Sequence, residues 1–448
     1  MTGRLSDLAQ QVLDAAKRAG ADSADTLVME GTSISIEVRT GALEHAERSE
    51  GVDLGLRVLC GAKQACVSIS DDSAASIATM AERAVAMARE APDDPTCGLA
   101  RPDQLATDWD VAALELYDDR AAPSPADLER LALEAEAAAL EVSGVDQVQG
   151  ASSGYSETSL HLAASNGFSG GYRRGAYSTS CVAISGQGLS MERDYNGEAR
   201  SHYADLPDPR SIGRIAGERA AARAGSTRPP TGAYPVLFDE RIAASLIGHL
   251  VGAINGAAIV RGASFLKDAL GEQVLPASLS LIENPHRPRV AGSRPFDGEG
   301  LPVQERALVK DGILQGWTLD LATGRKLGME STGNASRGIS TPPSPSLGNL
   351  ALTQGTASRE DLIAQMGTGL IITSMIGSTI NPNTGDYSRG ASGFWVENGE
   401  ITGPVNECTV AGNLRDMLMN ITPANDGRPH LSRVVPSLLV EGLTIAGA

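Results

Sequence analysis

The run from Ile242 to Val260 holds nineteen residues with no Asp, Glu, Lys or Arg, closed by Arg241 and Arg261. A charge-free stretch of that length must either cross a bilayer or lie inside a folded core. It contains Ser245, His249, Asn255 and three glycines and has no aromatic belt, which speaks against a membrane span. The run therefore reads as a helix buried on all sides in a large domain, and the rest of the chain must supply the shell.

The chain can do so. Its 448 residues suggest roughly three domains. Hydrophobic residues make up 42% and charged residues 21%, as in ordinary globular chains. Lys plus Arg is 37 against 55 for Asp plus Glu, a formal net charge of −18. That balance argues against a dedicated nucleic-acid or membrane-surface binder, which needs a basic face. Glycine is 50 of 448, an excess that points to many tight turns and a β-rich fold. The five cysteines, Cys60, Cys66, Cys97, Cys181 and Cys408, show neither a disulfide framework nor a Cys-x-x-Cys pair. The N-terminus is an amphipathic helix pattern rather than a signal peptide, so the cytoplasm, with reduced thiols, is the expected compartment.

Local pattern predicts an α+β chain in three parts. Residues 5–19 form a helical face of Leu5, Leu8, Val12, Leu13 and Ala16. Strand-like runs follow at Thr26–Met29, Ser33–Val38, Val52–Leu59 and Ala65–Ile69, then a helix over Asp72–Ala91 capped by Ser73. These make an N-terminal α+β domain, 1–95. Residues 92–125, rich in Pro and Asp, read as a linker or an extended crossing segment. Ser124-Pro125 opens a helix to about Val142, and Asp208-Pro209 opens another to Ala224. Between them, Leu160–Ala163 leads to a hairpin turn at Asn166-Gly167. This is the middle domain, 96–226. The breaker-rich STRPPTG at 226–232 marks the main boundary. The last part, 227–448, reads as a mostly antiparallel β domain around the buried helix. It has a first strand at Tyr234–Phe238, hairpins at Asp311-Gly312 and Asn398-Gly399, and a final strand over Val434–Ile445.

Few residues look chemical. The six histidines include no i, i+4 pair suited to zinc, and no P-loop or dinucleotide glycine motif is present. Gly150-Ala151-Ser152-Ser153-Gly154 fits Gly-x-Ser-x-Gly, but a strand-like YSETSLHL follows where a nucleophile elbow needs a helix. A hairpin turn is the favoured reading, with a Ser152 nucleophile the alternative. Ser331–Gly338 (STGNASRG) and Asn381–Gly393 (NPNTGDYSRGASG) read either as surface loops or as segments whose backbone approaches a ligand closely. Phe296–Gly300 (FDGEG) reads as an exposed acidic turn in preference to a metal or acid/base pair.

The run NPNTGDYSRGASGFWVENGEITGPVNECTVAGNL, with STGNASRG and FDGEG upstream, resembles the TldD/PmbA family, and specifically its PmbA (TldE) branch. The resemblance spans essentially the whole chain. It implies a zinc metallopeptidase assembled from two related chains that acts on unfolded peptides, bacteriocin precursors among them. An older association makes the family a modulator of DNA gyrase. In the TldD branch a helix carries His-Glu-x-x-x-His, and a later Cys completes the metal site.

Carried over here, the first His position holds Gly248, the Glu position holds His249 and the second His position holds Ala253. No Cys follows Cys408. One imidazole cannot make a zinc site, which needs three or four donors. His249 then reads as a core or interface histidine donating to a backbone carbonyl. The resemblance implies a non-catalytic subunit, without a cofactor of its own, paired with a zinc-bearing TldD-type chain. A homodimer is plausible when that partner is missing. The peptide-lining or interface candidates are Gly333, Asn334 and Arg337, and Thr384, Gly385, Asp386, Tyr387, Ser388, Arg389 and Gly390. The alternatives are a peptidase active by itself, through zinc or Ser152, and a regulatory binding protein without proteolytic role.

Overall fold

A computed structural model describes residues 2–448. The first half is built on one sheet. Its strands are β1 (Ser23–Arg39), β2 (Ala42–Cys60), β3 (Lys63–Ile69), β4 (Gln147–Ala164), β5 (Ser169–Ser185) and β6 (Glu192–Arg200), in the order β3-β2-β1-β4-β5-β6. β1 pairs antiparallel with β4 from Asp25↔Ala164 to Val38↔Ala151. The two regions that the sequence divides near residue 95 thus share a continuous sheet.

Two helix pairs cover that sheet. α1 (Thr2–Ala19) and α2 (Ala74–Glu90) bury Leu5, Val12, Met80 and Ala84 against Leu54, Leu56 and Val58. α3 (Pro125–Leu140) and α4 (Pro209–Ala222) cover the other end, packing on Ile36, Val38, Tyr155 and Tyr177. The expected caps hold. Ser124 accepts from Asp127 N at 3.2 Å, Asp208 accepts from Arg210 N, and Ser73 accepts from Ser76 N.

The strands are longer than the apolar runs suggest. β1 and β2 continue unbroken to a turn at Thr40-Gly41, where both residues have positive φ. Residues 42–51 are all exposed, so no alternation marks them. Gly150–Gly154 is also strand, inside β4, which corrects the expected turn. Ser152 Oγ lies 2.9 Å from Ser180 Oγ on the neighbouring strand, a ladder contact of sheet hydroxyls.

Residues 92–124 cross the molecule as an extended segment with two short 3₁₀ turns. Ala106 N donates to Gly300 O, and Arg325 donates to the carbonyls of Thr96 and Leu99. Trp109 packs on Phe168 and Phe296, with ring centroids at 5.8 and 5.2 Å. The segment straps the last domain to the first sheet.

The C-terminal half contains β7 (Gly232–Phe238), α5 (Glu240–Ala253), α6 (Gly256–Val260), β8 (Leu281–Glu283), β9 (Arg306–Lys310), β10 (Ile313–Leu314), α7 (Leu321–Leu327), β11 (Ala335–Ser336), β12 (Ser344–Pro345), β13 (Leu350–Leu352), α8 (Arg359–Met366), β14 (Gly369–Ile380), β15 (Asp386–Glu397), β16 (Glu400–Asn413), α9 (Leu414–Met419), β17 (Ile421–Pro423), β18 (Arg433–Val434) and β19 (Leu438–Ala446). β16, β15, β14, β7 and β19 pair in that order, and β16 also pairs with β19, closing a barrel. A second sheet, β10-β9-β8-β13-β18, packs into the same buried core as α5 and the barrel. The turns at Asp311-Gly312 and Asn398-Gly399 form as expected, with positive φ at all four residues.

The charge-free run is two helices. α5 ends at Ala253. Asn255 then caps α6, its side chain accepting from Ala257 N at 2.9 Å, and Gly256 N donates to Thr318 O. Neither helix is long and apolar enough to cross a membrane, and none is elsewhere among the described residues.

Candidate functional site: the open face of α5

Strand β7 delivers the chain to Asp239, whose carboxylate caps α5 by accepting from Arg241 N at 3.2 Å. Arg241 also pairs with Asp194 at 3.0 Å, and Arg359 pairs with Asp239 at 3.3 Å. The start of the helix is thereby fixed to both halves of the molecule. Ala243, Leu246, Ile247 and Leu250 then face the core and are fully buried.

The opposite face corrects the expectation of burial on all sides. Ser245, Gly248 and His249 are only half-buried, and Gly252 is exposed. Their spacing, i, i+3, i+4 and i+7, places them on one stripe. A Cβ at Gly252 would meet nothing within 4 Å, and one at Gly248 would meet only Arg433 Nη1 at 3.7 Å. The stripe is therefore bare backbone flanked by two polar side chains.

His249 stacks edge-to-face on Tyr387, with centroids at 5.7 Å. Its Nε2 is buried with no hydrogen-bond partner, and so is Ser245 Oγ. The expected donation from His249 to a backbone carbonyl is not made by Nε2. Burial, with the Arg389 charge nearby, pushes the His249 pKa below its ordinary value and favours the neutral ring. Burial pushes the Tyr387 hydroxyl up to about 12, against an opposing pull from Arg389 beside it.

Zinc does not fit these residues. Gly248 and Ala253 offer no donor atom. The Cys408 thiol donates to Ala391 O at 3.2 Å, and burial raises its pKa to about 11, away from the thiolate a metal needs. Among the described residues no group of three His, Cys, Asp or Glu could hold a metal ion.

The segment from Thr384 to Gly390 sits beside α5. It is a braced turn leading into β15. Gly385 N donates to Asn381 O, Thr384 Oγ1 donates to Asp386 at 2.6 Å, and Asn413 Nδ2 donates to Thr384 O at 3.0 Å. Thr384 and Asp386 are exposed, Tyr387 is buried, and Ser388, Arg389 and Gly390 run along the strand. Arg389 Nε donates to Gly377 O at 2.7 Å, which ties the strand to β14.

The other candidate run lies elsewhere and is not a surface loop. Asn334 is 2% exposed and donates its amide to both oxygens of buried Glu283, at 3.0 and 2.9 Å. The Arg337 side chain is 1% exposed and pairs with Asp25 of β1. Gly333 has a φ of 68°, in a close approach to Pro302 O that leaves no room for a Cβ. Arg337 joins the C-terminal domain to the first sheet, while Asn334 and Gly333 are locked within the C-terminal domain. The expected exposed turn at FDGEG is likewise interior. Asp297 is 1% exposed and accepts from the backbone N–H groups of Glu299, Leu301 and Ala335. The whole of a carboxylate's appetite for donors is met by main chain, a structural role.

Ser245 and Arg433 escape the sequence reading. Ser245 could be found one helical turn before His249. Arg433 arrives from β18 with no local signal.

Three family models match in chain order. PmbA/TldA metallopeptidase domain 1 covers residues 24–88, the central domain 118–224 and the C-terminal domain 231–447. The chain is 36% identical over 428 residues to metalloprotease PmbA of Escherichia coli O157:H7, covering 95% of this chain and 92% of that protein. It is 37% identical over 438 residues to a metalloprotease PmbA homolog of Haemophilus influenzae, covering 97% and 94%. Its fold matches a solved Bacteroides thetaiotaomicron structure described as a candidate modulator of DNA gyrase, with a TM-score of 0.90, 27% identity and coverage of 99% and 98%. On the strength of near full-length identity and three domains in register, the chain belongs to the PmbA/TldD metallopeptidase family, on its PmbA branch.

Proposed function

We propose that this chain is the non-catalytic subunit of a two-chain peptidase, and that its partner is a TldD-type chain carrying the zinc. The observation that supports the reading is the donor set on α5. Gly248, His249 and Ala253 stand where the catalytic helix of the family needs His, Glu and His, and no general base or metal can be assembled from them. The chain would contribute a wall of the space that receives an unfolded peptide, with α5 and the Thr384–Gly390 segment facing it. Binding there would come from backbone pairing and a few anchoring groups, which suits substrates without a fixed sequence.

The test is reconstitution. The purified chain, incubated with zinc and examined by native mass spectrometry, is expected to carry no tightly held metal and to cleave no unfolded peptide. Mixed with a TldD-type chain, it is expected to form a heteromeric species with zinc on the partner and with peptidase activity. One tightly bound zinc per chain, or cleavage by this chain alone that Ser152→Ala abolishes, would overturn the reading.

A further inference from the structure

We propose that the open face of α5 is a carboxylate-binding site, and that it takes the C-terminal carboxylate of an extended peptide. The proposal rests on the peptide-receiving role given above and names the group that this face recognises.

The face is built from donors. Ser245 Oγ and His249 Nε2 stand one helical turn apart, both buried and both without a partner. A buried polar atom left unmade is costly, and two on one stripe call for a ligand that supplies what the chain does not. Arg433 Nη1 stands over Gly248. Arg389 is close enough to act on both the His249 ring and the Tyr387 hydroxyl. Arg389 spends its Nε on Gly377 O and one contact on the Tyr387 hydroxyl, and of the five N–H donors of a guanidinium the others remain for a guest. In a chain of net charge −18, a corner with two guanidinium groups, an imidazole and a hydroxyl is complementary to an anion. The glycines at 248 and 252 leave space over the helix for its two oxygens.

The neighbouring strand identifies the anion as a peptide end. β14 pairs with β7 only through Leu370–Ile372. From Ser374 to Ile380 it pairs with β15 alone, so its second edge presents unpaired backbone groups. Ile376 on that edge is 77% exposed. Arg389 joins this edge to the donor corner, because its Nε bonds the carbonyl of Gly377. An extended segment added along Ser374–Ile380 would gain main-chain hydrogen bonds and bring its terminus to α5.

The experiment uses the full chain and N-terminally labelled decapeptides of one unstructured sequence, read by fluorescence anisotropy. One peptide has a free C-terminus, one is amidated, and one is amidated with an internal Glu. The free acid is expected to bind about ten-fold more tightly than either amide. Arg389→Gln and Arg433→Gln are each expected to cut the advantage of the free acid over the amide to less than about two-fold. Gly252→Leu, an exposed helix position that tolerates the larger side chain, is expected to remove the preference by filling the space. Equal binding of free acid and amide overturns the carboxylate site but leaves the peptide-receiving role standing. Equal binding of the free acid and the Glu peptide overturns the assignment to a terminus. Failure of every peptide to bind overturns both.

Discussion

Arg337 and Asp25, separated by 312 positions in the chain, form a buried ion pair, and the arginine also donates to the Asp25 carbonyl at 3.3 Å. Arg57 completes the arrangement from β2, its Nε 2.7 Å from the same carboxylate. Asp25 is thus held between two guanidinium groups, one from each half of the molecule. Nearby, Ile339 passes so close to Gly55 that a Cβ there would strike its carbonyl. The C-terminal domain is fastened to the first sheet at this point.

Arg337→Met is therefore expected to destabilise the protein by about 3–5 kcal/mol, the cost of breaking a buried pair from one side. Asp25 keeps Arg57, which favours the lower end. Denaturant unfolding measures the loss, and a change below about 1 kcal/mol would show that the pair does not hold the domains.

Asn334→Ala leaves Glu283, 2% exposed, without its two amide donors, although Gly348 N and Arg306 still reach it. A loss of about 2 kcal/mol is expected, since hydrogen bonds to a charged group are worth about 1.5–3 kcal/mol. Asn334→Asp places a second carboxylate against the first and is expected to cost more. If the aspartate variant proves as stable as the alanine one, the geometry at Glu283 is misread.

The pH dependence of stability follows from Glu299. Burial, reinforced by Asp297 beside it, pushes its pKa from 4.5 up to about 8. The native state therefore holds a proton that the unfolded chain releases above about pH 4.5. Native protein binds more protons than unfolded across that window, so stability falls as pH rises from about 4.5 to about 8. Glu299→Gln keeps an acceptor for Leu321 N and removes the titration. The variant is expected to show a flatter profile and to exceed the parent at pH 8. A series of melting curves from pH 5 to 8 checks it.

Gly213→Ala sets two effects against each other. Alanine is the better helix former by about 1 kcal/mol. In α4, however, the new Cβ would collide with the backbone carbonyl of Ala135 on α3, where two helices cross in close contact. Backbone cannot swing aside as a side chain can, so overpacking of about 1–3 kcal/mol is expected to win. A stabilised variant would mean that the helices separate freely.

Asp386→Ala removes the acceptor for Thr384 Oγ1 and for Asn413 Nδ2. The turn is exposed, so stability is expected to change little. If the segment faces peptide or partner as proposed, cleavage by the assembled pair should fall several-fold. Unchanged cleavage and unchanged assembly would remove Thr384–Gly390 from the site.

Much of this architecture was legible in the chain. Helix starts at Ser73, Ser124 and Asp208 and hairpins at Asn166-Gly167, Asp311-Gly312 and Asn398-Gly399 follow from the residues at those positions, because caps and tight turns are local chemistry. The outer half of β2 was not legible. Its residues 42–51 are all exposed, and a strand held only by its neighbours leaves no period to read. The break at Ile254 also lay hidden; there Asn255 caps α6 and Gly256 N donates to Thr318 O, which arrives from outside the run.

By itself the sequence determined the family and the local turns and caps. Only the tertiary structure decided which side chains surround α5 and which polar runs face solvent. Arg433 reaches Gly248 and Arg389 comes close to His249 and Tyr387 because a second sheet and a barrel strand deliver them there. Because they are polar, Asp297 reads as part of an exposed turn, and Asn334 and Arg337 as part of a surface loop or a ligand- or partner-facing segment. They are interior because their partners, Glu283, Asp25 and a set of backbone N–H groups, lie far away in sequence. Burial of a polar group is decided by whether its partners arrive, and that is a property of the fold.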